Sequence, residues 1–221
     1  MSNVQQFDTR PVVENEWEIA VESPLSCSLH HSGAPQAKGD SQVILRERPF
    51  LGHLMLRGGA IVLDEALREV VGLSLPGEPL GLVQSLSGGP VGECSLQWLS
   101  PDEWLLIVPG GEEFDVERRL REALGDAHIS IVNVSGGQTL LELEGDKARE
   151  VLKKSVAYDV YPRHFPVGKG VTTVFAKASV ILRRPSDTRW ELVVRRSFAD
   201  YIYRWLLDAG EEYGIAVEEG A

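Results

Sequence analysis

The chain repeats itself. Gly52-His53-Leu54-Met55-Leu56-Arg57 leads into a helical pattern ending Glu65-Ala66-Leu67, and Gly137-Gln138-Thr139-Leu140-Leu141-Glu142 leads into one ending Glu150-Val151-Leu152, an offset of 85 residues. Leu75-Pro76 aligns with Tyr161-Pro162, and Trp104-Leu105-Leu106-Ile107-Val108 with Trp190-Glu191-Leu192-Val193-Val194, each at an offset of 86. One such coincidence is cheap; three in the same order point to a duplicated α+β unit, and a repeat constrains the fold more than any single motif does.

Each unit reads strand, helix, strand, strand, strand, helix, with units at about 50–126 and 127–212. In the first, Leu63, Ala66, Leu67, Val70 and Val71 fall at helical spacing before a stop at Gly72. Strands are predicted near Gly81–Leu86, Glu93–Leu99 and Glu103–Val108, then a charged helix near Glu112–Leu124 with Phe114, Leu120 and Leu124 inward. The second unit has a helix near Asp146–Lys154 and strands near Gly170–Ala176, Ser179–Arg184 and Arg189–Arg195. Its final helix begins at Phe198, with Ser197 and Asp200 spaced as a capping box and Phe198, Tyr201, Ile202, Trp205 and Leu206 as the apolar stripe. Turns at Ser100-Pro101-Asp102-Glu103 and Pro185-Ser186-Asp187-Thr188 set Trp98 opposite Trp104, Arg184 opposite Trp190 and Arg183 opposite Glu191. Residues 1–41 read as an arm rich in turn-formers, 42–214 as the body and 215–221 as an acidic tail that frays.

At 221 residues the chain is long enough for a substantial core, and 43% hydrophobic with 25% charged residues is ordinary for a globular protein. The net charge of −11 argues against a general nucleic-acid binder. The acidity is uneven: Asp146 to Arg204 holds 13 Lys+Arg against 6 Asp+Glu, which leaves −18 for the rest. Such asymmetry suits either an ordinary solvated face or a basic face that docks an acidic partner or an anion. No basic leader precedes an apolar run and no stretch approaches a membrane span, so no membrane is expected and a reducing cytoplasm is the expected location.

A search for chemistry returns little. There is no G-x-S-x-G, no HExxH and no P-loop. Gly88-Gly89-Pro90-Val91-Gly92 suits a hairpin loop, and Val167-Gly168-Lys169-Gly170 is too short to cradle a phosphate. His30 and His31 lack further ligands at metal spacing, and Cys27 and Cys94 lack an adjacent base. His53 and His128 read as structural. Arg163 and His164 lie in a Pro-flanked loop, Tyr161-Pro162-Arg163-His164-Phe165-Pro166, and loops carry function more often than cores do. On residues alone this is a binding or assembly domain: no catalytic, cofactor or metal residue is assigned to it.

The order of several stretches resembles the gamma subunit family of heterotetrameric sarcosine oxidase. They are Arg48-Pro49-Phe50-Leu51-Gly52, Leu56-Arg57-Gly58, Trp98-Leu99-Ser100-Pro101-Asp102-Glu103-Trp104-Leu105-Leu106, Val134-Ser135 with Thr139, Asp159-Val160-Tyr161-Pro162-Arg163-His164-Phe165, and Val194-Arg195-Arg196-Ser197-Phe198-Ala199-Asp200-Tyr201. The resemblance implies a folate-binding aminomethyltransferase-like (T-protein) fold of related α+β halves. It implies alpha, beta and delta partner subunits in a complex that oxidatively demethylates sarcosine to glycine, makes hydrogen peroxide and passes the one-carbon unit to tetrahydrofolate. FAD, FMN, NAD, tetrahydrofolate and zinc would sit on the partners, and this chain would have a structural, non-catalytic role. Its interface candidates are Arg163, His164, Arg195 and Arg196, with a contact area above about 2,000 Å². The family often has His before the loop proline, where Tyr161 stands here, and a Cys shortly before that loop, where Val156 stands.

Three other readings stay open from the residues. The same subunit could serve a complex that oxidises another N-methyl amino acid. A stand-alone folate-binding relative of the T-protein would carry a K-G-C-Y-x-G-Q-E type motif; the nearest stretch, Lys153-Lys154-Ser155-Val156-Ala157-Tyr158, lacks the Gly, Cys and Gln. Aminomethyl transfer by the chain itself lacks a convincingly placed carboxylate.

Overall fold

The computed structural model describes residues 21–31, 41–85 and 89–218. Trp17, most of the arm, Leu86 and the last three residues lie outside the described residues. A short helix α1 (Ser26–His31) is followed by β1 (Val43–Arg48), β2 (Gly52–Gly58), α2 (Ala60–Val70), β3 (Leu82–Gln84), β4 (Ser95–Ser100), β5 (Glu103–Val108), α3 (Glu113–Leu124) and β6 (Ile129–Asn133). Then come β7 (Gln138–Glu144), α4 (Ala148–Lys153), β8 (Lys169–Phe175), β9 (Ala178–Arg184), β10 (Arg189–Arg195), α5 (Ala199–Gly210) and β11 (Ile215–Glu218).

The duplication is visible in the sheets. One has the order β3-β4-β5-β2-β6, the other β8-β9-β10-β7-β1-β11, so the four strands of each unit occupy the same relative places. Beside β2 the first sheet is completed by β6, which follows its own unit; beside β7 the second is completed by β1, which precedes both. The second sheet is therefore built from both ends of the described chain.

Each sheet buries one face under its own pair of helices. Alternation in β2 sends Leu54 and Leu56 to a core shared with Leu63 and Leu67 of α2 and Leu120 of α3. In the second sheet Leu141, Leu143 and Leu192 pack on Val151 of α4 and on Ile202 and Leu206 of α5. The other faces meet across a small apolar cluster of Leu105, Ile107, Leu140 and Val193. The layers thus run helix, sheet, sheet, helix.

Polar groups finish that contact. Gln97, fully buried, donates from Nε2 to the carbonyls of Trp98 at 2.9 Å, Gly81 at 3.2 Å and Gly170 at 3.2 Å, spanning both sheets. Leu82 N–H donates to Gly168 O at 2.7 Å and Gly170 N–H to Leu80 O at 2.8 Å beside it. Gly170 must be glycine, because a Cβ there would overlap the Gln97 carboxamide. His53 also faces this layer, fully buried; its Nδ1 lies 2.9 Å from Leu51 O, so that nitrogen carries the proton. Burial pushes its imidazole down to about 4, and the nearby Arg183 charge pushes the same way.

Both hairpins have the expected register: Trp98 faces Trp104, Glu191 faces Arg183, and Arg184 lies over the Trp190 ring at 5.3 Å. Four local expectations are corrected. Phe114 is 55% exposed; Val116, Leu120 and Leu124 form the inward i, i+4, i+8 row, and Phe114 lies two residues off it, on the far side of the helix. The Ser197–Asp200 capping box does not form, because a 3-10 turn over Arg196–Phe198 puts Phe198 at the cap. Asp200 instead accepts from Ser28 Oγ at 2.5 Å and pairs with Arg204. The stripe of α5 is rotated accordingly: Ala199, Ile202, Tyr203 and Leu206 are inward, while Phe198 and Trp205 are partly exposed. Finally, Ile215–Glu218 does not fray but pairs parallel to β1.

Gly170→Ala is expected to lower stability in urea titration by about 2 kcal/mol, since it displaces the buried Gln97 amide whose Nε2 bonds carbonyls of both sheets. Gly77→Ala, with open space around it, should stay within about 0.5 kcal/mol. His53 gives a pH signature. Between its ordinary 6.5 and about 4 the unfolded chain takes up a proton that the folded chain refuses, so stability falls as pH falls. The expected loss at pH 5 is about 2 kcal/mol, and urea midpoints at pH 7 and pH 5 should converge in His53→Gln.

Candidate functional site

Arg195 and Arg196 sit at the end of β10, where the chain turns into α5, and both are exposed. Val194 before them and Ala199 after them are fully buried, so the turn is held at both ends. The 3-10 turn Ser135–Gly137 lies alongside. Glu22 to Cys27 of the arm close the third side, with Arg196 Nη2 donating to Glu22 O at 3.3 Å. The result is an open concavity of about 650 Å³. The guanidinium groups of Arg195 and Arg196 line it together with Glu22, Gly136 and Gly137. Gly137 N–H is already bonded to Val134 O, so the guanidiniums are what suit it to carboxylates.

The described part of the arm, residues 21–31, is more ordered than its sequence suggests. Leu25 is buried in the second core, Ser23 Oγ donates to Glu47 at 2.7 Å and Ser28 Oγ donates to Asp200. Six residues of helix are too few to show a period, and their anchors lie far away in sequence.

Arg163 and His164 lie on a different loop and do not line that concavity. Phe165 pins the loop: it is fully buried, edge-on to Trp190 at 5.0 Å and to Tyr158 at 5.6 Å, and its carbonyl accepts from Arg184 Nη1 at 2.8 Å. Lys169 Nζ donates to His164 O at 2.8 Å. His164 Nε2 lies 3.8 Å from an Asp159 carboxylate oxygen. Tyr161, half-exposed, takes Arg149 and Lys153 against its ring at 5.6 and 5.5 Å. The structure therefore divides the four interface candidates between two solvent-facing turns, each beside fully buried residues.

Sequence reasoning found the Arg183–Glu191 pair but missed the longer charged row to which it belongs, buried except at Arg46. Arg46, Glu142, Glu191 and Arg183 stand in register across β1, β7, β10 and β9, on the face turned to the other sheet. Arg183 donates twice to Glu191 and once, at 3.0 Å, to Ser95 Oγ of the opposite sheet. Burial pushes the Glu142 carboxyl up, while Arg189 at 3.4 Å and Arg48 at 3.7 Å pull it down. Next to the row a cleft of about 250 Å³ opens between the sheets. That is small beside pockets that enclose drug-sized ligands. Cys94 lines it, and burial raises its thiol to about 11, so it is inert as a nucleophile. Among the described residues no group of His, Cys, Asp and Glu is arranged to hold a metal, and no helix is long and apolar enough to cross a membrane.

Comparison with known proteins places this geometry. Residues 59–212 match the sarcosine oxidase gamma subunit family. The chain is 38% identical over 148 residues to sarcosine oxidase subunit gamma of Corynebacterium sp. (strain P-1), covering 67% of this chain and 70% of that one. It superposes on a chain of the heterotetrameric sarcosine oxidase of Corynebacterium sp. U-96 with a TM-score of 0.76 and 30% identity, over 89% of this chain and 97% of that one. The glycine cleavage system aminomethyltransferase T of Bartonella henselae superposes at 0.65 and 15% identity, over 89% of this chain and 58% of that one, a likeness of fold alone. The α+β architecture is thus the one shared by these proteins, and the chain belongs to the sarcosine oxidase gamma subunit family.

Proposed function

We propose that this protein is a non-catalytic subunit of a heterotetrameric sarcosine oxidase, which it completes by packing against its alpha, beta and delta subunits. The observation that carries this is the superposition on nearly the whole of one chain of such a complex. In the complex so assembled, sarcosine is oxidatively demethylated to glycine. Oxygen takes the electrons to become hydrogen peroxide, and tetrahydrofolate takes the one-carbon unit. FAD, FMN, NAD, tetrahydrofolate and zinc belong to the partners, and the location is cytoplasmic.

The assembly surface includes the two basic turns. Arg195 and Arg196 receive acidic groups of a partner in their concavity, and Arg163 and His164 do the same from the pinned loop. Exposed Trp205 and Phe198 beside the first turn supply apolar area of the kind enriched in interfaces.

Pull-down of the tagged full chain from native lysate tests the reading. The expected result is two large partners and a small one by mass, flavin absorbance, and sarcosine-dependent peroxide. A colourless, monodisperse monomer that binds folate would overturn it. Within the complex, Arg195→Glu with Arg196→Glu should weaken association about tenfold or more and speed dissociation, with a reduced salt dependence. Both side chains are exposed, so the stability of the free chain should move by no more than about 0.5 kcal/mol.

A further inference from the structure

The cleft between the sheets has features that an assembly role does not use. Its mouth is formed by Arg48, with a side chain 29% exposed, and Glu93, 57% exposed. They face each other at 4.0 Å, too far for a hydrogen bond, and among the described residues neither makes one. Arg48 is also 3.7 Å from Glu142, again without a hydrogen bond. The guanidinium therefore keeps its donors and the carboxylate its acceptors. Leu51, Ile107 and Leu140 give the lining its apolar part, and Gln84 and Cys94 border it as well. At the floor lie Ser95, Arg183 and Glu191, all at least nine-tenths buried. Glu191 spends Oε2 on Arg183; its Oε1 accepts no hydrogen bond among the described residues and has only Arg189 Nε, at 3.7 Å.

Charges fixed this way select a ligand. The lining pairs two cations, Arg48 and Arg183, with two anions, Glu93 and Glu191, so a net charge on the guest gains little. A guest with separated charges gains at both ends. A facing guanidinium and carboxylate set 4.0 Å apart match the carboxylate and ammonium carried on one carbon of an α-amino acid. The volume, about 250 Å³, admits a short side chain only. Glu191 Oε1, an acceptor without a hydrogen-bond donor among the described residues, also borders the cleft, so a side-chain hydroxyl is favoured over a methyl.

We propose that this cleft is a binding site for a small zwitterionic α-amino acid with a hydrogen-bond donor on its side chain. The carboxylate lies on Arg48, the ammonium on Glu93 and the side-chain hydroxyl on Glu191. All of these groups are supplied by this chain.

Calorimetric titration of the full chain with L-threonine, L-valine, acetate and methylammonium tests it. Threonine should bind saturably. Valine, its near-isostere, should bind about tenfold more weakly for want of the hydroxyl, and acetate and methylammonium weaker still. Glu93→Gln, a change at an exposed side chain that leaves the fold intact, should cost about tenfold in threonine affinity without moving the melting temperature, and Arg48→Gln at least as much. Three results would each overturn the proposal. One is no saturable threonine binding. Another is acetate binding as tightly as threonine, the mark of a plain anion site. The last is threonine affinity unchanged in Glu93→Gln.

Discussion

Arg183 holds the two halves of this protein in contact. Its guanidinium is 2% exposed, paired on its own sheet with Glu191 and across the gap with Ser95 of the other sheet. Taking two charges out of water is expensive, and such a pair is stable only when the remaining hydrogen-bonding capacity is largely met. Here that requires both sheets at their observed separation. Arg183 without Ser95 would keep a buried donor unpaired, and Glu191 without Arg183 would be a buried carboxylate facing Glu142. The apolar cluster between the sheets is small, so the charged row and the Gln97 amide fix how the sheets are set against each other rather than merely that they touch.

The same requirement explains why the two units are not laid end to end as independent blocks. A sheet covered by helices on one face still has a second face to cover, and each unit supplies that cover for the other. The crossing of β1 into the second unit's sheet adds a covalent tie. Arg46 in that strand pairs with Glu144 of β7 on one side and Glu218 of β11 on the other, both at under 3 Å. Beginning and end of the described chain are thereby fastened to one strand, and loss of β11 would expose the edge of β1.

Much of this was legible in the sequence, because it is local or periodic. The repeat gave the strand and helix order of both units, and the Pro-containing turns fixed registers that a one-residue slip would have inverted. Arg183 opposite Glu191 and Arg184 on Trp190 followed from that register alone. What was not legible depends on contacts between distant segments. That Arg183 and Glu191 are buried is a property of the second sheet lying over them, which no pattern within β9 or β10 encodes. Ile215-Ala216-Val217-Glu218 is too short to read as a strand until β1 is beside it, and Ser26–His31 too short to read as a helix until Leu25 and Ser28 have found the second core and Asp200. Phe114 and Trp205 misled for the opposite reason: both are apolar at helical spacing, yet lie off the row that faces the sheet. The cleft escaped notice because its members come from seven separate strands and the turns beside them.

The four basic interface candidates have one structural property in common. Each is an exposed side chain close to fully buried residues. Arg195 and Arg196 stand between Val194 and Ala199, both fully buried; Arg163 and His164 stand beside Phe165, fully buried and held by two aromatic contacts and an arginine. Association loses most when it must order flexible groups, and least when charges already stand where the partner will find them. Two short turns fixed by neighbouring core residues meet that condition without enlarging the chain. The anchors of both turns, Val194, Ala199 and Phe165, belong to the core of the second sheet, and that one core sets where all four charges stand at the surface.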